Sequence, residues 1–252
     1  MMHVYLDFGP FHVPWQDYAG DLGAALVQTI EFTIAGFLGA VVIGLVVAVL
    51  RLAPFQPLRI LARTYTEVFK NLPLVTEIFL VYFGLATIGI VLNVFVAGAI
   101  SLAVFYGAYL SEIFRGGLQG VGRGQREAAQ AVGFTPLRAF GLVILPQATR
   151  LALPGTSTML VDLLKGTSLL TFIGGAELMN EGRTIVSNTF ASLEVYIVIG
   201  AIYFAMCFPL SHLVLTLERH LHAGKPLSPS RFRILRMARR LQAQDSPGVA
   251  VG

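Results

Sequence analysis

The sequence predicts an all-α membrane protein of five transmembrane helices, and three observations carry that prediction. Of its 252 residues 55% are hydrophobic and only 13% charged. A soluble domain carries about 25% charged residues, so this chain lacks the polar surface to face water. Second, five apolar runs approach or exceed the roughly 20 residues that a helix needs to cross a hydrocarbon core of about 30 Å. Third, the basic residues gather on one side of those runs.

The first span is expected over about 22–50, ending at Arg51 and a basic turn with Pro54, Pro57, Arg59 and Arg63. Residues 1–21 hold no Lys or Arg, so the basic start of a signal peptide is missing and this run should stay in the membrane. The second span, about 64–85, contains Pro73, and a link with Gly84 and Gly89 leads to the third, about 91–114. A polar stretch over 115–138 interrupts the hydrophobicity before the fourth span, about 140–164, which contains Pro146 and Pro154. Residues 165–190 are too polar in their second half for an ordinary span; the fifth follows over about 193–217, then a basic tail. Each proline removes an N–H donor and clashes with the preceding turn. In lipid the freed carbonyls need neighbouring helices or a wet cavity. Kinked, Gly-rich spans therefore describe either a bundle lining a pathway or a rigid scaffold.

Lys/Arg excess marks cytoplasmic loops. Of 18 such residues, 14 follow the first, third and fifth spans, while the opposite side holds only Arg183. The N-terminus is thus expected outside and the C-terminus inside, with Trp15 and Tyr18 in an outer interfacial belt. The expected organisation is an extracytoplasmic segment 1–21, a transmembrane domain 22–220 with a cytoplasmic loop at 115–140, and a basic cytoplasmic tail 221–252. Within the tail, 231–241 repeats Phe232, Leu235 and Ala238 at helical spacing among five arginines. It reads as a membrane-surface helix or as a solvated tail that fixes topology, and the residues after Gln242 as disordered. The net charge of +4 is concentrated there, so it concerns orientation and membrane lipid, not nucleic acid.

Chemistry is nearly absent. There is no phosphate-binding G-x-x-x-x-G-K-[ST] loop, no H-E-x-x-H and no G-x-S-x-G elbow. His220 and His222 stand without a further ligand, and the lone Cys207 lies in an apolar run. No catalytic residue, metal site or cofactor is expected; if the protein drives solute uphill with ATP, another subunit hydrolyses it.

The loop segment from Glu127 to Pro136 reads as a short helix with marked ends. Glu127 is placed near its N-terminus, where a carboxylate favours the dipole. Gly133 stands where a left-handed cap belongs, and Pro136 follows it. Ala128, Ala129 and Ala131 would let a partner surface approach closely, although an ordinary surface helix reads the same way.

Two acids lie in apolar surroundings, Glu77 and Asp162, each C-terminal to a proline in its span. A carboxylate at the bilayer centre costs at least about 2.5 kcal/mol, so each needs a partner. Either Lys165 neutralises Asp162 from one turn away and Glu77 pairs with Lys70 or Lys165, or the acids leave a net negative pocket suited to a cationic amino acid.

The stretch Glu127 to Pro154, EAAQAVGFTPLRAFGLVILPQATRLALP, resembles the EAA loop of binding-protein-dependent ATP-binding-cassette import permeases, through Glu127, Ala128, Ala129, Gly133, Ile144, Leu145 and Pro146. Three further segments resemble the polar amino acid branch of that family: YTEVFKNLPL from Tyr65, GAYLSEIFRGG from Gly107 and LLKGTSLL from Leu163. The similarity covers about residues 22–220. It implies a five-helix importer permease bundle in the cell inner membrane, paired with a second permease (a copy or a paralogue) around the path. It implies two cytoplasmic ATP-binding subunits, an extracytoplasmic solute-binding protein and a passive, non-enzymatic role for this chain. ATPase coupling is expected at Glu127, Ala128, Ala129, Gly133, Phe134 and Pro136, and the substrate path at Glu77, Asp162, Lys165, Thr167 and Ser168. Two departures bear on substrate: Glu77 stands where Gln is common, and Gly166 where Asp usually follows the lysine. The competing reading is a secondary transporter or channel that uses the intramembrane acids; such folds usually show internal repeats, and none is visible.

Overall fold

The computed structural model describes residues 13–223, and every regular element among them is helical. Residues up to Val214 form one unit, and of the second unit only residues 215–223, which are helical, are described. The tail segment 231–241 and the residues after Gln242 lie outside the described residues.

Helix α1 (Trp15–Leu52) starts ahead of the expected boundary at 22. Its beginning is tied down: the Trp15 indole N–H donates to Glu194 Oε1 at 3.0 Å, and Val13 packs against Ile185, Val195 and Ile199. The outer face of α1 is as apolar as its inner face, with Ile34, Leu38 and Val42 between 54% and 61% exposed. Only lipid is a fitting solvent for such a surface.

The second span is not a single helix. Helix α2 (Gln56–Asn71) and the segment Leu74–Thr87, which comprises α3 (Leu74–Phe79), a π turn (Leu80–Gly84) and α4 (Leu85–Thr87), meet at 110°. Pro73 is the cause. A residue before proline is forced out of the helical region, and Leu72 is extended at φ −94°, ψ 143°. Helix α5 (Val94–Gly120) follows, opened by Asn93, whose side chain accepts from Val96 N at 2.8 Å.

The polar loop holds α6 (Arg123–Ala131) and α7 (Pro136–Ala139). A π turn (Phe140–Ile144) then leads into α8 (Leu145–Gly166). Pro146 cannot donate to the carbonyl four residues earlier, and the wide turn lies immediately before it. A 3₁₀ turn (Thr167–Ile173) ends at Gly174, φ +75°, and α9 (Leu178–Thr189) departs by 48° from the direction of the segment Pro136–Ile173. Helix α10 (Ser192–Ala223) is the last element among the described residues. Among the described residues three helices are long and apolar enough to cross a membrane unaided, or up to five crossings if each bent pair is one span.

The core is the approach of α1 to α5. A Cβ built on Gly39 would stand 2.7 Å from the Ala103 Cβ, and one on Gly107 2.8 Å from Ile43 Cγ2. Without a hydrophobic drive between helices in lipid, close backbone contact through small residues supplies the dispersion that holds them. Phe32, Leu102, Leu110, Leu163 and Leu170 fill the layer around this seam. Gly39→Val should therefore destabilise the purified chain by about 1–3 kcal/mol through overpacking, lowering its melting temperature in detergent, whereas Gly23→Ala, with nothing within 4 Å of the added carbon, should not. Equal melting of the two variants would contradict the seam.

Candidate functional site: the loop helix and the intramembrane acids

Helix α6 ends as its sequence predicts. Gly133 is left-handed at φ +83°, Phe134 N donates to Ala129 O at 3.0 Å and Gly133 N to Gln130 O at 2.9 Å. This wrap satisfies the last carbonyls of the helix. Thr135 then caps α7 by accepting from Arg138 N at 3.4 Å, and Pro136 takes the first helical position, where it costs no hydrogen bond. Glu127 differs from expectation: α6 begins at Arg123, so Glu127 is mid-helix, and the first turn carries no acid. Glu127 therefore stands beyond the first turn, too far along α6 to gain from its N-terminal dipole.

Ala129 is buried, while Glu127, Ala128, Gly133, Phe134 and Pro136 are exposed. Two neighbours missed in the sequence reading complete the surface: Val132 is 76% and Leu137 81% exposed. Large apolar side chains on a loop between spans, flanking a left-handed turn, are the signal that could have found them.

The acids separate. Glu77, on α3, is 1% exposed, and neither carboxylate oxygen has a hydrogen-bond partner. Asp162 and Lys165 lie exposed a turn apart on α8, with no ion pair between them among the described residues. The expected neutralisation of Glu77 by Lys70 or Lys165 is thus corrected. Lys70 is 3.6 Å from Glu112 and 3.9 Å from Glu67 instead, because the break at Pro73 turns α3 away from the end of α2. Thr167 is buried and donates to Leu164 O at 2.7 Å; Ser168 donates to Lys165 O at 2.7 Å. Gly166, the departure beside Lys165, has a physical reason. A Cβ there would meet Tyr106 Oη at 2.6 Å, and that phenol donates to Asp162 O at 2.9 Å.

Two charged clusters were also missed. Glu112 accepts from Arg51 and Arg115, each at 2.5 Å, with Lys70 alongside, so one carboxylate joins the ends of α1, α2 and α5. Its signal was the Glu112–Arg115 spacing inside GAYLSEIFRGG. Glu177 is fully buried at the start of α9, accepting from Met179 N and Tyr203 Oη at 2.7 Å and from Asn180 N at 2.8 Å. Nearby, Arg183 donates to Thr171 O and Oγ1 at 3.2 Å. Both Arg183 and Tyr203, with Ser168, line a cavity of about 570 Å³.

Residues 40–223 match the family described as binding-protein-dependent transport system inner membrane component. The chain belongs to this family. The permease is 36% identical over 77% of its length to a probable glutamine ABC transporter permease of Bacillus subtilis (strain 168), covering 90% of that protein. An L-cystine transport system permease of the same organism is 32% identical over 83% of the chain, with 92% of the relative covered. Among solved structures, one described as an amino acid ABC transporter with histidines superposes with a TM-score of 0.77 at 34% identity, over 82% of this chain and 96% of that one. The permease is accordingly a multi-pass membrane protein of the amino acid ABC transporter type.

Removing the Glu112 carboxylate leaves Arg51, Lys70 and Arg115 facing one another. Since the Glu112 side chain is 25% exposed, Glu112→Ala should cost about 2 kcal/mol, less than a fully buried network. The loss should appear as a lower melting temperature and be partly restored in Glu112→Asp. An unchanged melt would contradict the cluster's role.

Proposed function

We propose that this permease is the passive membrane subunit of an ATP-driven importer of polar amino acids in the cell inner membrane. It takes its N-terminus outside and its C-terminus to the cytoplasm, with the segments 1–21, 22–220 and 221–252 as outer segment, transmembrane domain and basic tail. It pairs with a second permease, a copy or a paralogue, receives substrate from a solute-binding protein and is driven by two cytoplasmic ATPase subunits.

The observation that carries this reading is the capped, exposed turn between α6 and α7. Ala128, the left-handed Gly133 and Phe134 present an exposed surface that Val132 and Leu137 extend. The two helices share a capped junction, so a push on the turn is transmitted to the π turn and α8 rather than absorbed in a floppy loop. Coupling through Glu127, Ala128, Ala129, Gly133, Phe134 and Pro136 follows.

The substrate is proposed to be a cationic amino acid. Glu77 supports this because an unpartnered buried acid is costly and gains most from a guanidinium or ammonium group. Asp162, Lys165, Thr167 and Ser168 complete the proposed path, and Glu77 joins it by rotation of α3 about the extended Leu72–Pro73 break. The relatives named for glutamine and cystine make a neutral substrate the second reading.

The test is uptake of labelled arginine and glutamate, alongside ATP hydrolysis, by the complete complex in liposomes. A branched residue at a left-handed position costs about 1–2 kcal/mol, so Gly133→Val should lower uptake roughly tenfold while the chain still inserts. Glu77→Gln should reduce arginine uptake more than ATP hydrolysis. Normal uptake by Gly133→Val rejects the coupling role, and wild-type transport of glutamate but not arginine rejects the cationic substrate.

A further inference from the structure

Between the ends of α1 and α5, the start of α6 and the π turn lies a cavity of about 420 Å³ that neither the substrate path nor the coupling surface uses. Its walls are two kinds of surface. Leu52, Leu118, Val121 and Phe140 make one side apolar, and Leu52 and Phe140 are themselves 44% and 39% exposed. Arg123 and Arg126 supply the other. Neither arginine makes an ion pair or side-chain hydrogen bond among the described residues, unlike Arg51 and Arg115 on the neighbouring helix ends. No acid occupies the first turn of α6, and its cap, Gly122, offers no side chain to the free N–H groups. The cavity therefore carries uncompensated positive charge beside an apolar wall, at the level where two apolar spans end.

From this juxtaposition we infer that the cavity binds an acidic phospholipid, its phosphate between Arg123 and Arg126 and its first methylenes against Leu118, Val121 and Phe140. A soluble anion satisfies the arginines but leaves the apolar wall wet. An acidic protein surface likewise gains nothing from that wall, whereas a lipid fills both parts. Helix-end cations at a bilayer surface attract anionic headgroups in this way, and the snorkelling reach of arginine suits the position. Because Arg123 and Arg126 belong to α6, an occupied cavity holds the start of that helix against the bundle. The inference requires only that this end of the spans meets the headgroups, and it is independent of ATP coupling and of the substrate.

Native mass spectrometry of the purified full-length permease complex, titrated with phosphatidylglycerol or phosphatidylcholine, tests it. Wild type should retain phosphatidylglycerol in preference to phosphatidylcholine, and inorganic phosphate should not displace it. The double variant Arg123→Gln/Arg126→Gln should bind phosphatidylglycerol more weakly by roughly fivefold for each arginine removed. Gly122→Phe fills the cavity with both charges kept; its added Cβ has open space and the backbone is at φ −57°, so it should fold and also lose the lipid. Arg59→Gln/Arg63→Gln, on α2 away from the cavity, should bind as wild type. Equal loss in that control, undiminished binding in Gly122→Phe or the arginine pair, no preference between lipids, or displacement by phosphate overturns the inference. Loss of the ATPase subunit with lipid retained would reassign the arginines to a protein contact and also overturns it.

Discussion

Gly39 and Gly107 bring the backbones of α1 and α5 so near that one added carbon would sit 2.7–2.8 Å from the partner helix. Helices α2, α3, α8 and α9 are arranged on that pair. α8 packs against α5 through Gly117, where a Cβ would lie 2.8 Å from Ala148 O, and α3 places Leu74 and Ile78 in the same core layer. A rigid pair of this kind lets the remaining helices break without loss of the bundle. The breaks at Pro73 and ahead of Pro146 interrupt an otherwise close-packed body, each with its proline as the identifiable cause.

Polar groups divide into those that hold the bundle and those left uncommitted. Glu112, Glu177, Tyr65 and Tyr106 are consumed by internal contacts: Glu112 by three cations, Glu177 by two backbone amides and a phenol, Tyr65 by Val104 O and Tyr106 by Asp162 O. Glu77, Asp162 and Lys165 are not so consumed. The distinction matters because a membrane interior tolerates unsatisfied charge poorly. Under the proposed function these groups, all on the two proline-broken spans, are the ones offered to a moving ligand.

Much of this could be read in the sequence. The apolar runs mark the long helices α1, α5 and α10, and Gly133 with Pro136 foretold the end of α6 and the start of α7, because a left-handed cap and a fixed φ are local constraints. The loop resemblance identified the family through Glu127, Ala129, Gly133 and Pro146. What could not be read depended on distance in space. The 110° turn after Asn71 follows from Pro73, yet whether a proline kinks a helix or ends it depends on what can satisfy the freed backbone. The same turn sent Lys70 to Glu112 and left Glu77 alone. Thr167 also needed the fold: its place in the sequence names no partner, whereas the structure brings its hydroxyl onto Leu164 O at 2.7 Å. Gly166 only made sense beside Tyr106.

Under the proposed function this permease is passive, and ATP hydrolysis elsewhere supplies the drive. The most direct measurement is accumulation of labelled amino acid in liposomes containing the purified permease alone, under an imposed proton or sodium gradient, against liposomes containing it with its ATPase, binding protein and ATP. A passive permease should give accumulation above the external concentration only in the second case. Gradient-driven accumulation by the permease alone would contradict it.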